Sequence, residues 1–300
     1  MDNIVIGSRG SDLALWQANY IKDRIEVYGY PVEIKIIKTQ GDIIQHLSFD
    51  KMEGKGFFTK ELESALLDCS IDLAVHSYKD LETNQPNDLS IAAVSERASP
   101  ADMMLIRKSQ VDSSQKWNLK TNALVGTSSA RRKMQLLHHR PDVRINDIRG
   151  NVPTRINKLR DGNFDAIILA KAGLDRLQLD VSDLFAYEFD TTEFIPAPAQ
   201  GVLACQIRSR DTILINILRK LHCEDVAELI DVERKVLNLF EGGCQLPLGA
   251  HCVRTDTGVR LHAIVADDYK SAPSWVVINA PNTKGLAERA VEELKKKVVH

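Results

Sequence analysis

The chain has no long apolar run, no excess of charge of either sign and no paired cysteines, and each absence removes a class of function. No segment approaches the roughly 20 apolar residues of a membrane-spanning helix, and the opening Met1-Asp2-Asn3-Ile4-Val5-Ile6-Gly7-Ser8-Arg9 lacks the basic flank and apolar core of an export signal. A cytoplasmic location with no membrane partner is expected. Lys and Arg number 39 against 41 Asp and Glu, a net charge of −2 that argues against broad nucleic-acid binding. Any anion site must be local. The five cysteines (Cys69, Cys205, Cys223, Cys244, Cys252) are odd in number without a CxxC pair, and the eight histidines include no HExxH, so neither a disulfide framework nor a metal site is indicated. Most of the thiols are expected to be reduced packing residues. Gly7-Ser8-Arg9-Gly10 and Gly126-Thr127-Ser128-Ser129 lack the glycine spacing and terminal lysine of nucleotide loops.

What is present is an ordinary globular composition, 44% hydrophobic and 27% charged, in a chain of 300 residues that exceeds what one core normally serves. Ile4-Val5-Ile6 reads as a buried strand. A glycine turn follows, with Ser11 as N-cap of a helix carrying Leu13, Trp16, Tyr20 and Ile21, and then the alternating strand Val32, Ile34, Ile36. A further helix carries Leu62, Ala65, Leu66 and Cys69, and the strand Leu73-Ala74-Val75 ends in His76-Ser77-Tyr78-Lys79-Asp80. Strands at 91–94 and 103–106 precede a second series: 124–125 before a helix with Arg131 and Arg132, 143–148 before a helix with Arg155, and 166–170. Helices alternating with strands predict mostly parallel sheets.

Pro196-Ala197-Pro198-Ala199-Gln200-Gly201 reads as a stiff linker, and 202–207 as a strand returning to the first sheet. The expected fold is α/β, two parallel or mixed-sheet lobes of periplasmic-binding-protein-like type with a hinge, plus a smaller α+β C-terminal domain. The expected boundaries are 1–96 with 196–214, then 97–195, then 215–300. The last domain reads as helices at 211–221 and 225–240, a loop around Cys244, strands near 259–266 and 275–278, and a closing helix from Lys284.

Three constellations suit chemistry. Arg9, Arg131, Arg132, Arg149 and Arg155 each lie near a strand-to-helix turn, where guanidinium forks and helix N-termini together bind carboxylates or phosphates. Lys79-Asp80 at a strand end offers an acid/base carboxylate, with an ion pair as the plainer reading. Cys244, in Glu241-Gly242-Gly243-Cys244-Gln245-Leu246-Pro247-Leu248-Gly249, sits where two glycines admit a bulky neighbour. It could be reactive, with His76 or His251 near in space, or a permanent attachment point. An anion-binding module and a cysteine hydrolase both stay open at this level.

Read together, the residues resemble hydroxymethylbilane synthases, also called porphobilinogen deaminases. The resemblance rests on Ser8-Arg9 with Leu13 to Ala18, Gly54-Lys55-Gly56-Phe57-Phe58 with Lys60 to Glu63, Asp72 to Ser77 with Lys79-Asp80, and Gly126 to Ser129 with Arg131-Arg132. It continues through Arg149-Gly150-Asn151-Val152 with Thr154-Arg155, Ala172-Gly173-Leu174 with Arg176-Leu177, Pro198 to Gly201, and the Cys244 loop. Leu81-Glu82-Thr83 departs from the Val-Pro that often follows the aspartate, Ala130 stands where leucine is common, and Lys171 adds a charge.

The resemblance implies a transferase of tetrapyrrole (heme) biosynthesis that joins four porphobilinogens head to tail with loss of ammonia and releases hydroxymethylbilane by hydrolysis. It implies a dipyrromethane cofactor in thioether linkage to Cys244, with Arg131, Arg132, Arg155, Lys79, Ser77, Ser129 and Thr127 holding that cofactor and Ser128 as a further candidate. Arg9, Ser11, Arg149, Arg176, Lys55 and Gln200 would hold substrate. Asp80 would assist departure of ammonia, stabilise the cationic azafulvene and orient pyrrole N–H groups. No metal, no nucleic acid and a monomer are expected.

Overall fold

The computed structural model describes residues 3–39, 59–241 and 246–298, and the chain divides into two compact units. Among the described residues, the first comprises 3–39, 59–98 and 201–228; the second comprises 99–200, 229–241 and 246–298.

In the first unit β1 (Ile4–Ser8), β2 (Val32–Ile36), β3 (Leu73–Ser77), β4 (Leu89–Val94) and β10 (Leu203–Arg208) form one sheet in the order β2-β1-β3-β10-β4. The first three strands are parallel, whereas β10 runs antiparallel to both neighbours. Alternation along β3 sends Leu73 and Val75 to one face and Ala74 to the other. Helices α1 (Asp12–Glu26) and α6 (Thr212–Leu218) cover the first face through Ala18, Ile21, Ile25, Leu214, Ile217 and Leu218. Helix α2 (Lys60–Leu67) covers the second through Leu62, Ala65 and Leu66. Ser11 caps α1 by accepting from Ala14 N. Cys69 is a correction: instead of extending the apolar face of α2 it lies beyond the helix, exposed, at φ 62°. A residue in that region of backbone space leaves the helical periodicity, so its side chain no longer follows Leu66.

In the second unit β5 (Asp102–Arg107), β6 (Leu124–Gly126), β7 (Arg144–Asn146), β8 (Ala166–Ala170) and β9 (Leu184–Glu188) take the order β7-β6-β8-β5-β9. As in the first sheet, one strand is reversed: β6, β7 and β8 are parallel, and β5 runs antiparallel to both of its neighbours, β8 and β9. Helices α3 (Ala130–His139), α4 (Val152–Arg160) and α5 (Lys171–Leu177) follow the three parallel strands. The same unit carries an antiparallel meander of β11 (Leu248–Thr255), β12 (Gly258–Val265) and β13 (Ser274–Ala280). Its core joins α7 (Glu224–Leu239) and α8 (Leu286–Val298) through Val232, Val236, Ala290 and Leu294. Met134 of α3 packs with Ile195, Ile264 and Ala266, which joins the meander to the five-stranded part. No helix among the described residues is long and apolar enough to cross a membrane.

Candidate active site

Parallel strands that each lead into a helix bring their carboxyl ends, and the residues just after them, to one edge of a sheet. In the first unit that edge carries Arg9 after β1, the cap Ser11, and Ser77 at the end of β3 followed by a 3₁₀ turn, Tyr78–Asp80. Tyr78 and Leu81 are buried and Asp80 is exposed, so the turn points its carboxylate outward. Tyr78 N donates to Val202 O at 2.9 Å, and Ser77 Oγ accepts from Gln17 Nε2 at 2.8 Å. His76 is buried, hydrogen-bonded through Nε2 to Gln206 Oε1 at 2.9 Å, and its pKa is lowered to about 4, first by burial and further by the charge of Arg9. It is a neutral packed residue rather than a base for a thiol.

In the second unit the edge formed by the ends of β6, β7 and β8 gathers Thr127, Ser128, Ser129, Arg131, Arg132, Arg149, Arg155 and, on α5, Arg176. Ser129 caps α3 and accepts from Arg132 N, while its own N–H donates to Thr127 Oγ1 at 3.4 Å. Ser128 Oγ bonds both Ile148 O and Ile148 N, tying this turn to the neighbouring one. There Gly150 takes φ +112°, and a Cβ on it would lie 2.7 Å from Thr154 Cγ2. Only glycine fits there without strain. Asn151 caps α4 by accepting from Thr154 N, and Arg155 Nε donates to Gly150 O at 2.7 Å. Burial lowers the pKa of Arg149 against the charge of Asp147, and the side chain of Arg176 is half-buried.

Asp102, which sequence reasoning missed, joins this edge because β5 is antiparallel to β8 and pairs Asp102 with Ala170. It is fully buried. Arg131 Nη1 donates to its Oδ2 at 2.7 Å, Arg132 Nη2 and Nε donate to Oδ1 at 2.7 and 3.1 Å, and Gln200 Nε2 donates to Oδ1 at 3.0 Å. Burial works to raise the Asp102 pKa, but the two guanidiniums outweigh it and hold the carboxyl well below its ordinary range. Arg131 and Arg132 are therefore oriented by an internal carboxylate and are only 5% and 7% exposed. One donor is left over. Arg131 Nε is buried and has no hydrogen-bond partner among the described residues, so an acceptor brought by a ligand would satisfy it.

Lys55 and Cys244 lie outside the described residues. The elements that flank Cys244 are α7 and β11, and Glu233 of α7, also missed from sequence, is buried between them. Its Oε1 accepts from Cys252 N at 2.8 Å and meets His251 Nδ1 at 3.3 Å, while its Oε2 accepts from Ala199 N at 2.8 Å. His251 is thus engaged with Glu233. No group of three His, Cys, Asp or Glu suited to a metal ion occurs among the described residues.

Comparison with known proteins gives two family models, "porphobilinogen deaminase, dipyromethane cofactor binding domain" over residues 4–216 and "porphobilinogen deaminase, C-terminal domain" over 227–296. A porphobilinogen deaminase of a Nitratiruptor species is 46% identical over 82% of this chain and 77% of its own length. One from Fusobacterium nucleatum subsp. nucleatum is 39% identical over 99% of both chains. Among solved structures, the periplasmic VFT2 domain of Bordetella pertussis BvgS aligns at 13% identity and TM-score 0.44, covering 77% of this chain and 93% of its own. An arginine-specific periplasmic binding protein of Salmonella typhimurium aligns at 10% identity and TM-score 0.40, covering 76% and 94%. Values this low carry no argument about ligand.

Proposed function

The chain belongs to the porphobilinogen deaminase family, and on that premise we propose that it condenses four porphobilinogen molecules head to tail, releasing ammonia at each addition, and frees hydroxymethylbilane by hydrolysis. The observation that carries this reading is the seat of Asp80. It is an exposed carboxylate at the end of a buried strand, on a turn fixed by the Tyr78–Val202 main-chain bond. There it meets the porphobilinogen aminomethyl group as ammonia departs, stabilises the cationic azafulvene left behind, and accepts from pyrrole N–H groups.

Residues 4–216 match a dipyrromethane cofactor binding domain. The residues of the second unit suit such a group: Thr127 and Ser129 stand at a helix N-terminus, Arg155 lies beside them on the same edge, and Arg131 keeps a buried N–H to give. In thioether linkage to Cys244, a dipyrromethane would supply the free pyrrole position to which the first porphobilinogen is joined. Arg131, Arg132, Arg155, Lys79, Ser77, Ser129 and Thr127 hold its carboxylates. Arg9, Ser11, Arg149, Arg176, Lys55 and Gln200 hold those of the incoming substrate. The reading also takes the protein as a cytoplasmic monomer of three domains. Three separate sheets support that division, although α6 packs wholly with the first sheet.

The test is turnover of porphobilinogen by the purified protein. Four ammonia per tetrapyrrole are expected, and Asp80→Asn should retain bound dipyrromethane while kcat falls at least about a hundredfold. Normal turnover by that variant would reject the role of Asp80.

A further inference from the structure

Beneath the Asp80 turn lies a chain of hydrogen bonds that the proposed chemistry does not use. It centres on Gln206 of β10, fully buried in the first unit. Gln206 Oε1 meets His76 Nε2 at 2.9 Å; its Nε2 donates to Gln85 Oε1 at 2.7 Å and to Glu63 Oε1 at 3.1 Å. Gln85 Nε2 in turn donates to Glu82 O at 2.8 Å. The bonds run in one direction. Both amide protons of Gln206 are committed, so its oxygen accepts and His76 carries its proton on Nε2.

His76 and Gln85 bracket the turn in sequence, and one side chain holds both. The register of the sheet aims that side chain. The β10–β3 ladder runs without a break and pairs Ala204 with His76 and Gln206 with Ala74, so alternation along both strands puts Gln206 and His76 on the same face. Tyr78 N on Val202 O, just before β10, adds a main-chain tie within the bracketed stretch.

We propose that Gln206 is a positioning residue for Asp80, clamping the strand end before the turn to the loop after it so that the carboxylate meets the reacting substrate in one orientation. The proposal rests on the reading of Asp80 given above. A turn released on its loop side would still bind substrate and cofactor, because Ser77 and Lys79 lie before Asp80, where the Gln17–Ser77 and Tyr78–Val202 bonds remain, but it would present Asp80 in the productive position less of the time. The loss then falls on kcat, because a misplacement of about 1 Å can cost up to about a hundredfold.

The test uses the dipyrromethane-loaded enzyme. Gln85→Leu removes one arm of the clamp at a half-buried position, and Gln206→Leu removes all arms. Gln85→Leu should lower kcat by about tenfold with KM and cofactor loading unchanged. Gln206→Leu should lower kcat at least as far, and the double variant should be no worse than Gln206→Leu alone, because the two residues act through one bond. A folded, loaded Gln85→Leu enzyme with wild-type kcat would overturn the proposal, as would additive losses in the double variant. If Gln206→Leu fails to fold, Gln85→Leu alone still decides. Asp80→Asn separates the two readings: its inactivity beside a fully active Gln85→Leu sinks only the clamp, whereas normal turnover by Asp80→Asn sinks the role of Asp80 itself.

Discussion

A buried carboxylate flanked by two guanidiniums stabilises a fold only while all three charges remain, and Asp102 is in that position. Removing it leaves Arg131 and Arg132 buried without a countercharge, a loss of about 3–5 kcal/mol. Asp102→Asn should therefore lower the free energy of urea unfolding by about that amount at pH 7. Because the folded-state pKa is depressed, the contribution of Asp102 is present above the ordinary carboxylate value near 4 and is lost as pH falls below it. The variant should lose part of the acid limb of the stability curve, and a cost under about 1 kcal/mol would contradict the pairing. His76 gives the second residue-level test. Its pKa is lowered to about 4, so the native state takes up its proton only well below the point where the unfolded chain does. Its contribution is complete above about pH 6.5 and declines between there and 4, a loss of about 2 kcal/mol from pH 7 to pH 5. That slope should vanish in His76→Gln; an unchanged slope would assign it to other groups.

Elements differ in how far they could be read from sequence, and the differences have physical causes. Strands β1 to β3 and β8 are apolar or alternating runs bounded by glycine or polar turns, so periodicity located them. Strand β11 was missed because Pro247 and Gly249 read as loop and His251 and Arg254 interrupt the apolar pattern. In the structure Gly249 lies inside the strand because there is no room for more: a Cβ would sit 2.8 Å from Ile195 O and 3.0 Å from Ile264 Cγ2. Gly249→Ala should therefore push β11 from the 194–196 segment and cost about 1–3 kcal/mol in thermal or urea unfolding. No loss would show that the segment yields freely. Strand β9 escaped because its alternating residues Phe185 and Tyr187 are only half-buried at the sheet edge. The places of the candidate residues were legible where they sit on strand-to-helix turns, as with Asp80, Ser129 and Arg149. Asp102, Glu233 and Gln206 were not, because their partners come from distant chain positions and no local spacing encodes them. Spacing placed Arg131 and Arg132 at a strand-to-helix turn but did not encode their pairing with Asp102.

At the scale of the whole molecule, five-stranded sheets in both units place the candidate site residues at the carboxyl ends of parallel strands, and each includes a reversed strand, β10 or β5. The C-terminal meander and its two helices supply the elements on either side of Cys244, with Glu233 binding α7 to β11. The central claim is that the dipyrromethane is anchored permanently at Cys244. It is tested most directly by the mass of the intact purified protein. The account predicts the polypeptide plus two porphobilinogen units less two ammonia in the active wild type, and the bare polypeptide in Cys244→Ser. An active wild-type preparation with the unmodified mass, or the added mass retained in Cys244→Ser, would contradict it.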